Sequence, residues 1–146
     1  MRSNLISMII VLVTIFSFTG CFESDNDIKL EGISCNQDLL NKANDGIEIY
    51  QYLVASCYFQ GVNKDFPKNY KEALKWYKKI GNIEFKQIPV GDQFVKLGAI
   101  YDIGGYGVKV NKIKAYQEYI KAAKVGNPDA QRNLDNLCKK SPWACK

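Results

Sequence analysis

The 146-residue sequence predicts an all-α protein, a short solenoid of antiparallel helix pairs. Three observations predict it. Apolar residues Ile47, Tyr50, Leu53, Val54, Cys57 and Tyr58 follow one another at steps of three and one, an α-helical stripe. The pattern then returns: Val54, Ala55, Tyr58 and Gly61 match Leu97, Gly98, Tyr101 and Gly104, each 43 residues on. Ala73, Tyr77 and Lys79 match Ala115, Tyr119 and Lys121, 42 residues on. Self-similarity at this period marks a stacked helical array. Finally, a composition of 47% hydrophobic and 24% charged residues is that of a folded domain, and it excludes a disordered chain, a collagen and a polytopic membrane protein.

Six helices are expected, near 34–44, 47–60, 69–80, 92–103, 111–125 and 128–139. Ser34 caps the first, and Asn44-Asp45-Gly46 closes it. Gly61 ends the second, and residues 62–68, with Pro67, form a loop. Asn69 caps a helix that sets Ala73, Trp76, Tyr77 and Ile80 on one side. Residues 81–90 read as irregular, with Pro89 as a breaker. The second pass then begins. A partial third pass follows, because Ala43, Gly46 and Val54 are paralleled in spacing by Ala123, Gly126 and Leu134. Two full repeats, about 47–81 and 91–126, thus stand between partial capping units in a domain spanning 34–146. One helix pair cannot bury its apolar face alone, so the pairs must stack.

The residues carrying the pattern are Leu97-Gly98-x-x-Tyr101-x-x-Gly104, Gly107-Val108, Lys114-Ala115, Tyr119, Lys121-Ala122-Ala123-x-x-Gly126 and Ala130-x-x-x-Leu134, with Trp76-Tyr77 in the first pass. This resembles the Sel-one-like repeat family, a relative of the tetratricopeptide repeats, over about residues 43–138. The first pass departs from the family. It lacks the Gly-x-Gly-Val loop, has Ile80-Gly81 in place of Ala-Ala, and carries an insertion around Asn82–Pro89. The resemblance implies a right-handed α-solenoid.

Residues 1–20 are expected to be an address. Arg2 precedes Leu5–Phe18, which carries no charge. As a helix this run rises about 21 Å at about 1.5 Å per residue. That is short for a hydrocarbon core of about 30 Å and suits a signal-peptide core. The run ends in Phe18-Thr19-Gly20-Cys21, which resembles the bacterial lipoprotein lipobox, although Leu is usual where Phe18 stands. The resemblance implies a lipoprotein signal peptide, lipid such as palmitate on Cys21, and Cys21 as the first mature residue. Phe22, rather than Asp, follows it, which by the same resemblance favours an outer-membrane anchor facing the periplasm. Residues 21–33 are then a lipidated tether.

Cys35, Cys57, Cys138 and Cys145 remain. An even number in an exported chain reads as two disulfides, and four cysteines allow three connectivities. Cys35 and Cys57 lie about 15 and 18 Å from the turn at Asp45 along antiparallel axes, so they are level. Ser141-Pro142 breaks the last helix and returns Cys145 to Cys138. The expected pairs are Cys35–Cys57 and Cys138–Cys145, one at each end of the stack.

The sequence holds little chemistry. It has no His, which removes the common imidazole metal sites and the Ser-His-Asp triad. There is no Cys-x-x-Cys and no Ser-x-x-Lys. Gly104-Gly105-x-Gly107 follows a helix, so it reads as a repeat turn rather than a dinucleotide loop. Glu48, Asp92 and Asp102 read as solvated surface, and Asp65 as a loop cap. No enzyme activity, cofactor or metal is expected. Lysines at 68, 71, 75, 78 and 79, and again at 109, 112, 114, 121 and 124, read as a solvated face or as a basic surface for an anionic partner. Nucleic acid is not expected as a partner of an exported chain. Tyr52, Phe59, Tyr70 and Tyr106 fit the core stripes least and are candidate binding residues.

The expected function is therefore a membrane-anchored protein-interaction module. That step rests on likeness of fold, since helical repeats present surfaces for partner proteins. Two rivals stand beside it: a periplasmic immunity-type inhibitor of a toxic enzyme, and a protein binding β-lactams or peptidoglycan, a role linked to disulfide-rich relatives of the repeat family.

Overall fold

The computed structural model describes residues 34–81 and 85–146. The expected signal peptide, Cys21 and the tether lie outside the described residues, as do residues 82–84 of the insertion. Six α-helices follow one another: α1 (Gln37–Asn44), α2 (Glu48–Gln60), α3 (Tyr70–Tyr77), α4 (Asp92–Ile103), α5 (Lys112–Lys124) and α6 (Ala130–Lys140). A short 3-10 turn, Pro142–Cys145, closes the chain. The described residues form no strand beyond two isolated bridges, Phe85–Ile88 and Gly105–Val108. Each helix packs on its neighbours in chain order, α2 on α1 and α3, α4 on α5, and α5 on α6. A thinner α3–α4 seam joins the two central pairs. The fold is all-helical, a stack of antiparallel pairs.

The repeat is visible in its hydrogen bonds. In both central pairs an Asn caps the second helix: Asn69 Oδ1 accepts from Glu72 N–H at 3.1 Å, and Asn111 Oδ1 from Lys114 N–H at 2.9 Å. The same two residues donate their backbone N–H back to the first helix, Asn69 to Tyr58 at 2.9 Å and Asn111 to Tyr101 at 2.7 Å. One residue type thus stops the loop and fixes the angle between paired helices. Gly104 turns the chain at φ 70°, where a β-carbon would stand 2.6 Å from a methyl of Val110. Gly98 is needed for space instead, because a β-carbon there would meet the buried Tyr119 ring at 2.5 Å.

Leu39, Ile49, Val54, Ala73, Tyr77, Leu97, Ile100, Ala115, Tyr119 and Leu137 are buried in one continuous core running through the helix pairs. Disulfides Cys35–Cys57 and Cys138–Cys145 tie the two ends, with Cα separations of 6.0 and 5.7 Å.

Several local expectations change. Asn36, not Ser34, caps α1, accepting from Leu39 N–H at 3.0 Å. Helix α3 stops at Tyr77 instead of residue 80, and α6 runs on to Lys140. The 62–68 loop is held by Asn63, whose Oδ1 accepts from both Asp65 and Phe66 N–H and whose amide donates to the Cys35 carbonyl. Asp65 caps nothing there; it is a donor to Asn63 through its backbone.

Candidate functional site

Three of the four candidate binding aromatics come together where the two central pairs meet. Phe59 lies near the end of α2 and Tyr70 opens α3; their rings stack at 5.3 Å between centroids and 18° between planes. Tyr106 sits in the loop between α4 and α5, edge-on to Tyr70 at 5.0 Å. Two ammonium groups cover this row. Lys68 Nζ stands 5.6 Å from the Tyr70 ring centre and 5.0 Å from that of Tyr106. Lys96 Nζ stands 5.7 Å from Phe59.

The geometry follows from a two-residue hairpin. Gly105 and Val108 exchange backbone hydrogen bonds at 2.8 and 3.0 Å, leaving Tyr106 and Gly107 at the tip. Both tip residues have positive φ, 47° and 88°, as the favoured two-residue hairpin turn demands. Tyr106 is the one non-glycine with positive φ among the described residues. A tyrosine in that region costs about 1 kcal/mol or more and persists where its surroundings fix it. Here the Tyr106 carbonyl accepts the Tyr70 N–H at 3.1 Å, and the ring rests on Tyr70. Tyr70 is buried while Tyr106 is 56% exposed. The result is a firmly seated aromatic ring offered to solvent beside fixed positive charge.

Tyr52 is not part of this site. It is 9% exposed, and its hydroxyl donates to Asp92 Oδ2 at 2.5 Å across the joint between α2 and α4. Its ring meets Tyr77 edge-on at 5.7 Å, and the Tyr77 hydroxyl shares a hydrogen with Ser56 Oγ at 2.9 Å. Burial, helped by the Asp92 charge, pushes the Tyr52 hydroxyl well above its ordinary value. Burial does the same at Tyr77 and at Tyr119. These hydroxyls remain protonated at physiological pH.

The carboxylates read as solvated surface serve as ties. Asp92 is buried and takes the Tyr52 hydrogen bond, with Lys96 Nζ 3.9 Å away. Glu48 Oε1 accepts the Gly81 N–H at 3.1 Å. Asp102 holds the Lys112 ammonium, which also donates to the Asp102 carbonyl at 2.7 Å. Each carboxylate joins one helix or loop to another. Among the described residues no three His, Cys, Asp or Glu side chains gather as metal ligands, and no helix is long and apolar enough to cross a membrane.

Of the lysine partners in the site, Lys68 was named as part of a possible basic face, and Lys96 was missed. Lys68 is in a loop and Lys96 in the following unit, so neither falls on the stripe that places Phe59. Gly105 and Gly107 on either side of Tyr106 were the available signal for a hairpin tip.

A family model for the Sel1 repeat matches residues 49–82 and 95–127, the two central pairs. No curated protein matches the chain.

Proposed function

Since the chain is a Sel1 repeat protein, we propose that it acts as a protein-interaction module held at the bacterial cell envelope by lipid on Cys21, and that Tyr106 is the anchor its partner covers. Sel1 repeats are protein-interaction modules as a rule, not enzymes. The observation that carries the proposal is the exposed Tyr106 ring, fixed by a strained backbone and by Tyr70 beneath it. Interface hot spots favour aromatic side chains that need little further ordering on binding. Lys68 and Lys96 add charge that steers a partner and sets its register. The two disulfides support an oxidising compartment, in keeping with the signal peptide and anchor expected from residues 1–21.

The partner test places a photo-crosslinking amino acid at Tyr106 in one strain and at Trp143 in another. Trp143 is equally exposed, at 61%, but lies on the C-terminal 3-10 turn. Illumination of cells is expected to give one discrete protein adduct from position 106 and none from 143. Identical adducts from both positions, or none from 106, would refute Tyr106 as the anchor.

The anchor has its own test. Cys21→Ala is expected to move the protein out of the membrane pellet almost completely, because two or more acyl chains hold a protein far more firmly than one weak, reversible chain does. An unchanged membrane fraction would remove Cys21 from the proposal.

A further inference from the structure

On the other side of the 105–108 hairpin, between α3 and α5, the surface opens into a depression of about 470 Å³. Its rim carries Lys71, Lys109 and Lys114, and its floor is apolar, made by Leu74, Val108 and Val110. A fourth ammonium, Lys78 Nζ, stands 5.6 Å from the centre of the Tyr101 ring in the same depression, and Lys114 Nζ stands 5.4 Å from it. No carboxylate lines it. Elsewhere on the described surface some cations are paired and others, such as Lys64, Lys124 and Lys139, are not. Lys42, Lys75, Lys96, Lys112, Lys121 and Arg132 all pair with Asp or Glu. Among the described residues, the three lining lysines, and Lys78 beside Tyr101, form no ion pair.

Three like charges around one concavity, with Lys78 close by, repel one another, and a ligand carrying several negative charges relieves that repulsion. A lone inorganic anion would leave the apolar floor unfilled. Val110 is 53% exposed, so the apolar lining opens to solvent on that side. A flat anionic membrane would meet the lysines but not the floor.

We infer that this depression binds an acidic peptide segment of the partner protein, in which an apolar side chain fills the Leu74–Val108–Val110 floor and flanking carboxylates meet Lys71, Lys78, Lys109 and Lys114. The inference rests on the interaction-module reading and extends its footprint. One hairpin then serves both surfaces: Tyr106 faces the aromatic row, while Gly107 and Val108 wall the basic depression, where a β-carbon on Gly107 would touch the Lys71 side chain at 3.4 Å. A partner contacting both would be read for an aromatic pocket and for an acidic stretch at once.

The test uses the purified full chain and a fluorescent synthetic peptide with two leucines set among six glutamates. Binding is read by anisotropy. The wild-type chain is expected to bind it, with affinity falling as salt rises from 50 to 300 mM, because exposed charges are screened over about 10 Å at 0.1 M. Lys71→Glu/Lys114→Glu replaces two attractions by two repulsions and is expected to weaken binding by about tenfold or more. Lys75→Glu/Lys121→Glu changes net charge equally but alters lysines already paired with Glu72 and Glu118, so less than about a twofold loss is expected. All four lysines are exposed, and circular dichroism checks that each variant keeps its helices. Equal loss in both variants, or no binding by the wild-type chain, overturns the inference. So does binding to phosphatidylglycerol vesicles, without peptide binding, that depends on Lys71 and Lys114. If the peptide fails while the Tyr106 adduct persists, this inference falls alone; if both fail, the module reading falls with it.

Discussion

Replacing Tyr77 by alanine is expected to lower the free energy of unfolding by about 3–5 kcal/mol, the usual loss for truncating a fully buried aromatic side chain. Tyr77 is 0% exposed, the largest fully buried side chain of the described residues. Its ring sits edge-on to Tyr52, an arrangement that adds about 0.5–1.5 kcal/mol beyond burial. Its hydroxyl pairs with Ser56, and Tyr52 in turn reaches Asp92, so the same cluster links α2, α3 and α4. The alanine variant opens a void at that joint. The phenylalanine variant keeps the ring and strands only the Ser56 hydroxyl, for a loss of about 1–3 kcal/mol. Urea denaturation of the two variants separates these contributions. Equal losses from Tyr77→Ala and Tyr77→Phe would mean that the hydrogen bond, not the ring, holds the joint. Domains of this size have about 5–15 kcal/mol in total, so the alanine variant sits near the limit of folding.

That joint also shows what the sequence conveyed and what it did not. The positions of Ala73, Tyr77, Ala115 and Tyr119 repeat with the period, and each is buried in the structure. The helices they belong to were legible because one face of each carries the apolar stripe. Tyr52 was misplaced for the converse reason. Helix α2 is covered by α1 on one side and α3 on the other, so residues off its main stripe are interior too, and periodicity loses its power to tell inside from outside. Asp92 was taken for surface because its partner lies 40 residues away in another helix, beyond the reach of any local pattern. The cap of α1 failed more simply. Ser34 and Asn36 are both good caps, and the chemistry of the residues does not choose between them; the first turn that packs does.

The candidate surface was half legible. Phe59, Tyr70 and Tyr106 stood out as aromatics off the core stripes, and the fold brings those three together. Their covering lysines come from a loop and from the next repeat, and their arrangement depends on a positive φ at Tyr106 that only the closed hairpin enforces. The two passes also diverged here. The first pass lacks the Gly-x-Gly-Val loop, and in the structure Asn63 and the Cys35 carbonyl organise that loop instead. Among the described residues, only the second unit has such a hairpin between its two helices. A repeat pair that was identical in both passes would not present one tyrosine and one basic depression; the proposed surface rests on that asymmetry.

Removal of the Cys35–Cys57 bridge, by alanine at both positions, is expected to cost about 3 kcal/mol by the chain-entropy relation for a bridge spanning 22 residues. The same change at Cys138 and Cys145, which lie 7 residues apart, is expected to cost about 2 kcal/mol. Alanine is the right replacement at Cys57, which is 5% exposed, because serine would bury a hydroxyl. The cost should be local before it is global. Helix α1 has 8 residues, too few to persist alone when isolated helices below about 12 residues are marginal in water. Its attachments are Leu39 and Ala43 in the core, the Gln51 side chain bonded to the Ala43 carbonyl at 3.2 Å, and the bridge itself. Without the bridge, backbone amides of α1 are expected to exchange with solvent at least about tenfold faster, while those of α4 and α5, beyond the α3–α4 seam, keep their protection. The melting temperature should fall by about 10 °C for the first bridge and by less for the second. Hydrogen exchange that rises uniformly along the chain would instead mean that the stack unfolds as one unit. In that case the bridge acts on the unfolded chain alone and not by holding a fraying end.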